Sequence, residues 1–339
     1  SLACRGQYKI IYVAPERLMT YLFRDFARQV QISMVTVDEA HCISQWGQDF
    51  RPSYLNIVDM VAGLPVRPVV SAFTATATKE VQEDIQCVLQ LRDPKVLVTG
   101  FDRANLYFEV RNDGSKDAQL LEYIKEHRGE SGIIYCATRK NVEAVYTALR
   151  MADIPVTRYH AGLSAEERKE NQDQFIFDER PVMVATNAFG MGIDKSNVRY
   201  VVHYNMPQSM ENYYQEAGRA GRDGERAECV LLYSPQDVRI NQMLLANKEF
   251  REEMTEEEIG AVRERDAERL KRMTYYGTTK DCLRGYILNY FGEKAPRRCE
   301  NCSNCLHEFV EEDVTDICRD IFQCIREMKW SYGAGTVAG

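Results

Sequence analysis

No apolar segment in the sequence approaches the roughly 20 residues needed to cross a bilayer. The start, SLACRGQYK, lacks the basic-then-apolar arrangement of a signal peptide. Positive charge is not in excess, because the formal net charge is -8, and a wholly basic, nucleic-acid-coating surface is therefore disfavoured. Solenoid repeats and low-complexity tracts are also absent. We therefore expect a soluble, intracellular protein with no membrane partner.

Cysteine is plentiful, but the count of 11 is odd and does not suit a complete disulfide framework. Three of these residues lie inside apolar runs: Cys87 in IQCVLQL, Cys136 in GIIYC and Cys229 in ECVLLY. We predict that these three are buried thiols in a reducing compartment.

At 339 residues with 45% hydrophobic content, the chain can form more than one domain, since domains usually contain about 100–200 residues. Helix-like or loop segments separate a series of apolar runs of strand length, which predicts an α/β fold with parallel sheets covered by helices. These runs are YKIIYV, SMVTVDEA, RPVVSAFTATA, GIIYC, PVMVAT, RYVVHY and ECVLLY.

Two changes of pattern indicate domain boundaries. The segment between Val98 and Lys116 separates two series of strands, so we place a junction near residue 100. After Pro235 strands give way to helices, and residues 247–276 carry charge at helical spacing. This last stretch is typical of a solvated helical hairpin.

Asp38 and Glu39 follow the predicted strand SMVTV, in the motif Asp-Glu-Ala-His. Ligands of parallel sheets gather at the carboxyl ends of the strands. One carboxylate there could hold the Mg²⁺ of a nucleotide through water, while the other polarises an attacking water. Acidic residues at strand ends are also common helix caps, so four letters alone are a weak signal.

Four cysteines near the end of the chain have the spacing of metal ligands. Cys282 is followed, after sixteen residues, by Cys299, Cys302 and Cys305 in the polar loop PRRCENCSNC. Four thiolates at these intervals suit a closed tetrahedral zinc site. An iron–sulfur cluster is the competitor, but its usual run ends in a fourth cysteine followed by proline. The spacing therefore favours a structural zinc.

Four runs in the expected order resemble motifs of superfamily 2 helicases: DEAHCISQWGQDFRPSY, SAFTATAT, ATNAFGMGIDK and QEAGRAGRDG. Within the first, SQWGQDFRP resembles the aromatic-rich loop of the RecQ family of ATP-dependent DNA helicases, bacterial type. The resemblance implies two RecA-like parallel-sheet domains followed by a helical zinc-binding subdomain. We expect a first, incomplete domain over residues 1–100, a second over 101–236, the zinc-binding subdomain over 237–310 and the start of a winged helix over 311–339.

For the first half of the chain, the resemblance implies that Asp38 binds Mg²⁺ with the nucleotide, and that Glu39 is the catalytic base. His41 would link the hydrolysis site to DNA. Trp46, Phe50 and Arg51 would sense single-stranded DNA, with the two rings offering stacking faces and the arginine a phosphate contact. Spacing alone leaves open that Trp46 and Phe50 fill an interdomain core.

Further residues are assigned by the same resemblance. Thr74 and Thr76 would connect the ATP state to the grip on DNA, although threonines are ordinary strand residues. In AFGMGIDK, the glycines Gly190 and Gly192 and the carboxylate of Asp194 would lie beside nucleotide and DNA. The remaining DNA-backbone candidates are Thr138, Arg139 and His160, the last within the run Tyr159-His160-Ala161-Gly162.

Gln215, Arg219 and Arg222 lie in QEAGRAGRDG. Arg219 and Arg222 are three residues apart, so on a helix they would project from one face. Exposed arginines at this spacing are more often surface charge. The resemblance implies instead that all three are catalytic and that both arginines contact the nucleotide, with Arg222 as the arginine finger.

The G-x-x-x-x-G-K-[ST] loop that cradles phosphates does not occur in the sequence. We therefore expect these residues to hydrolyse ATP poorly, and the intact parent to unwind duplex DNA from 3′ to 5′ in repair and recombination, at the bacterial nucleoid or in a nucleus. Partners are single-stranded and duplex DNA, and cofactors are structural Zn²⁺ together with Mg²⁺ and ATP. A non-enzymatic DNA-binding or interaction module is the alternative. An RNA helicase of the DEAH type is disfavoured by SQWGQDFRP and the four cysteines.

Overall fold

A computed structural model describes residues 2–45, 50–190, 193, 195–248, 254–307 and 313–328. The chain divides into two compact units, Ser1–Cys305 and Leu306–Gly339. The first unit contains two parallel sheets and a helical module. The second contains one described helix that ends at Glu327. No helix within the described ranges is long and apolar enough to span a membrane.

A two-stranded parallel sheet forms the first part of the larger unit. Strand β1 (Met34–Val37) runs beside β2 (Val69–Ala72), with Met34 opposite Val69. The helices around it are α1 (Tyr21–Gln29), α2 (Leu55–Ala62) and α3 (Lys79–Val88), with short 3-10 turns at Pro15–Arg17, Ala40–Ile43 and Pro52–Tyr54. A small apolar core centred on Val37, Ile57 and Ile85 joins helices to strands. This sheet delivers the Asp-Glu-Ala-His motif.

A six-stranded sheet forms the second part, with every neighbouring pair parallel in the order β3-β8-β7-β4-β6-β5. Its strands are β3 (Leu106–Arg111), β4 (Ser131–Tyr135), β5 (Val156–Tyr159), β6 (Val182–Ala185), β7 (Val198–His203) and β8 (Ala227–Leu232). Its helices are α4 (Lys116–Glu126), α5 (Arg139–Met151), α6 (Ala165–Ile176) and α7 (Met210–Ala217). Separate apolar cores cover the two faces, which explains why the central strands read as continuous apolar runs.

The helical module follows the second sheet. It contains α8 (Pro235–Ala246), α9 (Glu256–Thr278), α10 (Leu283–Tyr290) and α11 (Ser303–Leu306). Helix α10 packs against α7 and β3, and a single parallel bridge joins Phe108 of β3 to Cys302. Leu283 and Ile287 belong to the same apolar cluster as Phe108. The module is therefore an extension of the second sheet's core.

In the second unit, α12 (Thr315–Glu327) is amphipathic. Ile317, Ile321, Phe322 and Ile325 are exposed. That these residues begin a winged helix stays a prediction, as do the domain boundaries at residues 100, 236 and 310.

The predicted parallel α/β architecture is confirmed, but two details differ. YKIIYV at residues 8–13 forms no strand, and Tyr12 is 95% exposed, because no described strand pairs with it. Conversely, β3 and β5 were not predicted. In the described part of residues 247–276, α9 begins at Glu256 and packs against the preceding α8.

The predicted burial of the three apolar-run cysteines is confirmed for two of them. Cys136 and Cys229 are buried, whereas Cys87 is exposed. Helix α3 buries Val81 and Ile85, and a residue two positions after Ile85 lies on the far side of a helix with 3.6 residues per turn. The apolar neighbours of Cys87 therefore did not indicate its own environment.

Candidate functional site

The turn after β1 presents two adjacent carboxylates. Strand β1 ends at Val37, and the next residue, Asp38, is exposed. Glu39 has a left-handed backbone with φ of 47°, and its N–H donates to Asp38 Oδ1 at 2.9 Å. The N–H of Ala40 donates to the carbonyl of Phe73 at 2.9 Å. The turn is thus tied to the end of β2, and both carboxylates lie at the carboxyl edge of the sheet.

His41 connects this turn to the segment after β2. Its side chain is buried, and Nδ1 lies 2.9 Å from Thr74 Oγ1 and 3.4 Å from Glu39 Oε2. Thr76, two residues on, is also buried. The structure therefore brings Glu39, His41 and Thr74 into one contact group, which links the two strand ends.

Arg219 and Arg222 lie in the turns after α7, because that helix ends at Ala217. The prediction that they share a helix face is therefore wrong. A left-handed Gly221, with φ of 55°, separates them. Both reach the same neighbouring loop: Arg219 Nη1 donates to the carbonyl of Gly190, and Arg222 Nη1 donates to that of Ile193 at 2.9 Å.

Arg219 is buried, and among the described residues its Nε has no hydrogen-bond partner. A buried donor without an acceptor is costly, so this atom is suited to an anion. Gly190 permits the close approach, because a Cβ there would lie 2.3 Å from Arg219 Cζ. Glycine is needed at this position for the loop to pass over the guanidinium.

Glu39, Arg219 and Arg222 line one cleft of about 940 Å³, whereas Asp38 and His41 are not among its lining residues. Glu39 comes from the first sheet, and Gln215, Arg219 and Arg222 come from the second. Residues 94–101, the segment between the sheets, form another side. Carboxylate and guanidinium side chains therefore face a common space that is large enough for a nucleotide-sized ligand.

A second cleft, of about 620 Å³, adjoins the first. Glu39, Gln215 and Arg219 line both clefts. The second also contains His41 and Arg51. Three candidate catalytic residues thus lie where the two clefts meet.

The aromatic-loop candidates are described only in part. Phe50 and Arg51 are half-buried, and the N–H of Arg51 donates to the carbonyl of Cys42 at 2.8 Å. Burial raises the pKa of the nearby Tyr54 to about 12, and its hydroxyl donates to the carbonyl of Asp38 at 3.3 Å. Trp46, like Gly192 and Asp194, lies outside the described residues.

The remaining DNA-backbone candidates have structural contacts of their own. Thr138 Oγ1 caps α5 by accepting from the N–H of Asn141 at 3.1 Å. His160 is buried, with Nε2 2.7 Å from Glu143 Oε1. Arg139 is exposed and lies beside Gly162, where a Cβ would be 3.3 Å from Arg139 Cδ. Their role in DNA binding stays a prediction.

The four predicted metal ligands converge. The Sγ atoms of Cys282, Cys299, Cys302 and Cys305 all lie within 4.8 Å of one another. The Cys299–Cys305 pair is 3.9 Å apart, close to the ~3.8 Å edge of a tetrahedron with a Zn–S distance of ~2.3 Å. This separation fits a shared zinc ion rather than a disulfide.

Backbone amides support thiolate ligands at this cluster. Gly285 N–H donates to Cys282 Sγ at 3.3 Å, and Asn301 N–H donates to Cys299 Sγ at 3.4 Å. Burial opposes ionisation of Cys305, but hydrogen bonds from the Cys299 amide and neighbouring thiols lower its pKa to about 7, whereas burial raises the pKa of Cys282 and that of Cys302. Since zinc binds deprotonated cysteine, the donor set fits a structural zinc.

Two arginines that the sequence interpretation missed connect these parts. Arg103 donates to backbone carbonyls of the arginine-bearing turns, at 3.0 Å for Ala220. Arg284, two residues after a zinc ligand, donates to Asp102 Oδ1 at 2.6 Å. Both fell in segments interpreted only as a junction and as part of the zinc-binding subdomain, and no local pattern marks them.

Two consecutive parallel sheets with this cleft, followed by a four-cysteine module, define a helicase-type motor core. Solved structures share the fold. They include S. cerevisiae Dbp5 bound to RNA and ADP BeF3, with a TM-score of 0.52, 22% identity and 71% of this chain and 65% of that chain covered. Another is the DUF1998 helicase MrfA bound to DNA, with a TM-score of 0.53, 19% identity and coverage of 68% and 34%.

Three family models match successive segments: DEAD/DEAH box helicase over residues 1–84, helicase conserved C-terminal domain over 115–224 and RecQ zinc-binding over 235–306. The ATP-dependent DNA helicase RecQ of Bacillus subtilis is 46% identical over 98% of this chain and 55% of its own length. The RecQ of Pasteurella multocida is 41% identical over 89% and 46%. The chain belongs to the RecQ family of helicases, and it spans about half the length of these bacterial relatives.

Proposed function

We propose that the intact protein is an ATP-dependent DNA helicase that moves 3′ to 5′ along one strand and unwinds duplex DNA in repair and recombination. The observation that carries this proposal is the shared cleft, in which Glu39 of the first sheet and Arg219 and Arg222 of the second line one space. The names of the bacterial relatives, as ATP-dependent DNA helicases, support the substrate and the energy source.

The two carboxylates at the end of β1, Asp38 and Glu39, would have different roles. Asp38 is exposed at the end of β1 and would hold Mg²⁺ through water. When bound with the nucleotide, Mg²⁺ would neutralise part of the phosphate charge. Glu39 is held by its left-handed turn and by its proximity to His41, and it would orient the attacking water and accept its proton.

Arg219 and Arg222 form the positively charged side of the cleft. In this structure both donate to carbonyls of the neighbouring loop. Arg222 would act as the arginine finger, stabilising charge that develops on the transferred phosphoryl oxygens. The Nε of Arg219, which has no hydrogen-bond partner in the described part of the chain, supports a second contact to an anion, and Gln215 would help to orient the reacting water.

The second cleft would carry the DNA side of the cycle. His41 lies in it and contacts Thr74, so a change at Glu39 has a direct route to the segment that contains Thr76. Phe50 and Arg51, with Trp46, would contact single-stranded DNA, and Thr138, Arg139 and His160 would contact the strand backbone. Gly190, Gly192 and Asp194 would lie beside nucleotide and DNA.

The test is ATP turnover by the full-length protein, with and without single-stranded DNA, alongside unwinding of duplexes with 3′ or 5′ tails. Glu39→Gln should abolish DNA-stimulated turnover while leaving the Kd for DNA unchanged. Glu83→Gln, an exposed carboxylate change on α3, is the matched control. Undiminished turnover in Glu39→Gln would contradict the assignment.

The 339 residues alone should hydrolyse ATP poorly, because they contain no G-x-x-x-x-G-K-[ST] loop. The second candidate is a DNA-binding or interaction module without catalysis. If full-length protein binds DNA but hydrolyses no ATP, the second candidate is correct. DNA-stimulated hydrolysis by residues 1–339 would contradict our expectation about the loop.

A further inference from the structure

A single arginine side chain holds the backbone that carries both cleft arginines. Arg103 Nη1 donates to the carbonyl of Gly218 at 3.3 Å, and its Nη2 donates to those of Ala220 at 3.0 Å and Gly221 at 2.8 Å. These carbonyls surround Arg219 and immediately precede Arg222. The turn after α7 therefore depends on a side chain that lies more than a hundred residues away in sequence.

Asn105 also contacts the turn after α7 and the side chain of Arg103. Its Nδ2 donates to the carbonyls of Gly221 and Glu225, both at 2.8 Å, and its Oδ1 accepts from Arg103 Nε at 3.4 Å. Gly221 is left-handed, and a Cβ there would lie 2.5 Å from Asn105 Nδ2. The two side chains thus form a tight cradle under the turn.

The cradle is itself fixed by the helical module. Arg284, which is buried on α10, donates to Asp102 Oδ1 at 2.6 Å and to the carbonyl of Arg103 at 2.7 Å. Phe101 stacks on Phe291 with ring centroids 4.3 Å apart. Because residues 101–103 are held in this way, the guanidinium of Arg103 reaches the turn from a fixed support.

Resting on the function proposed above, we propose that Arg103 is a positioning residue that sets the placement of Arg219 and Arg222 in the ATP cleft. Arg103 borders that cleft, yet four hydrogen bonds to the turn and to Asn105 engage its guanidinium, which has five N–H groups. It acts through the turn rather than on the nucleotide.

Loss of this support should affect the chemical step more than binding. A misplacement of about 1 Å can lower a rate about 100-fold. In the full-length protein, Arg103→Ala should lower kcat for DNA-stimulated ATP hydrolysis about 10- to 100-fold. The KM for ATP and the Kd for DNA should stay within about twofold, as expected for an interaction that matters in the transition state.

Two comparisons separate positioning from general destabilisation. Arg111→Ala removes another half-buried arginine, which pairs with Glu109 on β3 and has no hydrogen bond to the turn; it should retain kcat. Arg103→Lys should recover part of the rate, because one ammonium can still donate to these carbonyls. A rise in KM with unchanged kcat would overturn the proposal, since Arg103 would then bind substrate directly.

The sharpest test is a mutant cycle in which Arg103→Ala is one change and the paired replacement of Arg219 and Arg222 is the other. If Arg103 acts through the cleft arginines, Arg103→Ala should lower the residual rate of an Arg222→Ala, Arg219→Ala protein by less than about twofold. The same fold loss in both backgrounds would overturn the proposal.

Failure of the proposed helicase function can be distinguished from failure of the positioning role of Arg103. If the wild-type full-length protein hydrolyses no ATP, the helicase proposal fails, and hydrogen exchange then decides the positioning role. Amides of residues 219–223 should exchange at least about tenfold faster in Arg103→Ala than in Arg111→Ala, with α5 unchanged. Equal exchange in the two variants would overturn the positioning role.

Discussion

The six-stranded sheet is covered on both faces, whereas the two-stranded sheet leaves large apolar side chains exposed. Ile134, Met183 and Val201, on three central strands of the larger sheet, are at most 1% exposed. On the smaller sheet, the paired residues Met34 and Val69 are 55% and 66% exposed. Far less apolar area thus supports the strands that carry the carboxylates than the strands that carry the arginines.

This contrast has a consequence for the cleft. Segments with few buried apolar contacts open locally at lower free energy than a packed core. Within these residues, the turn around Arg219 has the second core and the helical module behind it, whereas fewer buried apolar contacts support Glu39.

The largest expected effect on stability comes from removing zinc from the four-cysteine cluster, which lies against the six-stranded sheet. Cys302 is fully buried and bridges to Phe108 of β3. Structural zinc contributes about 10–16 kcal/mol of apparent binding free energy in small zinc peptides, and that energy is folding energy. Chelation, or Cys302→Ser, should therefore unfold the segment around α10, seen as fast hydrogen exchange there while α3 keeps its protection.

Metal analysis of the untreated protein accompanies that experiment and should give one zinc for each four-cysteine cluster of Cys282, Cys299, Cys302 and Cys305. Cys87→Ser, at an exposed cysteine on α3, is the control and should change neither zinc content nor exchange. Bound iron, or protection of α10 that survives complete zinc removal, would contradict the assignment.

A smaller effect on stability is expected when one glycine in each of the two sheet regions is replaced by alanine. A Cβ on Gly132, in β4, would lie 1.9 Å from the ring of Tyr200, which is fully buried. Gly132→Ala should therefore cost about 1–3 kcal/mol in free energy of unfolding, as overpacked cores do. Gly63→Ala, at the end of α2 with φ of -83° and its closest contact at 3.4 Å, should be neutral or stabilise by up to about 1 kcal/mol.

Denaturant unfolding of both glycine variants measures this difference. The comparison between the sheets fails here if Gly63→Ala is as destabilising as Gly132→Ala. Gly260→Ala, where nothing lies within 4 Å of an added Cβ, controls for the general effect of replacing glycine in a helix.

The same contrast explains what the sequence could predict about the fold. Central strands such as β4 and β7 are buried on both faces, so their apolar runs are continuous and were recognised. The two strands that were missed, β3 and β5, are the edges of the six-stranded sheet. Edge strands include polar residues such as Glu109 and Arg158, which break the apolar run. The apolar run YKIIYV, predicted as a strand, has no paired strand among the described residues.

At the site, the sequence predicted those residues that a short motif or a regular spacing identifies. The carboxylates at the end of β1 and the four cysteines are close in sequence or carry a recognisable interval. Arg103 and Arg284 could not be found in this way, because their partners lie 115 and 182 residues away. Only the folded arrangement of the second sheet and the helical module brings them into contact.

The smallest expected effect concerns the helix caps of the two parts. Ser164 begins α6 with a full capping box, in which its Oγ accepts from Glu167 N–H at 3.1 Å and its own N–H donates to Glu167 Oε2 at 2.9 Å. Thr78 begins α3 with one long bond, 3.5 Å from Val81 N–H to Oγ1. Ser164→Ala should cost about 1 kcal/mol in free energy of unfolding, and Thr78→Ala clearly less.

The pH dependence gives this last prediction a direction. Hydrogen bonds from Ser164 lower the pKa of Glu167, so the box contributes above the unfolded-state pKa of this carboxyl and is lost as pH falls through its folded-state pKa. The difference in unfolding free energy between wild type and Ser164→Ala should therefore shrink in acid, whereas that for Thr78→Ala should not. Equal costs at neutral pH, or a Ser164→Ala cost that grows in acid, would show that the two caps do not differ as their geometry indicates.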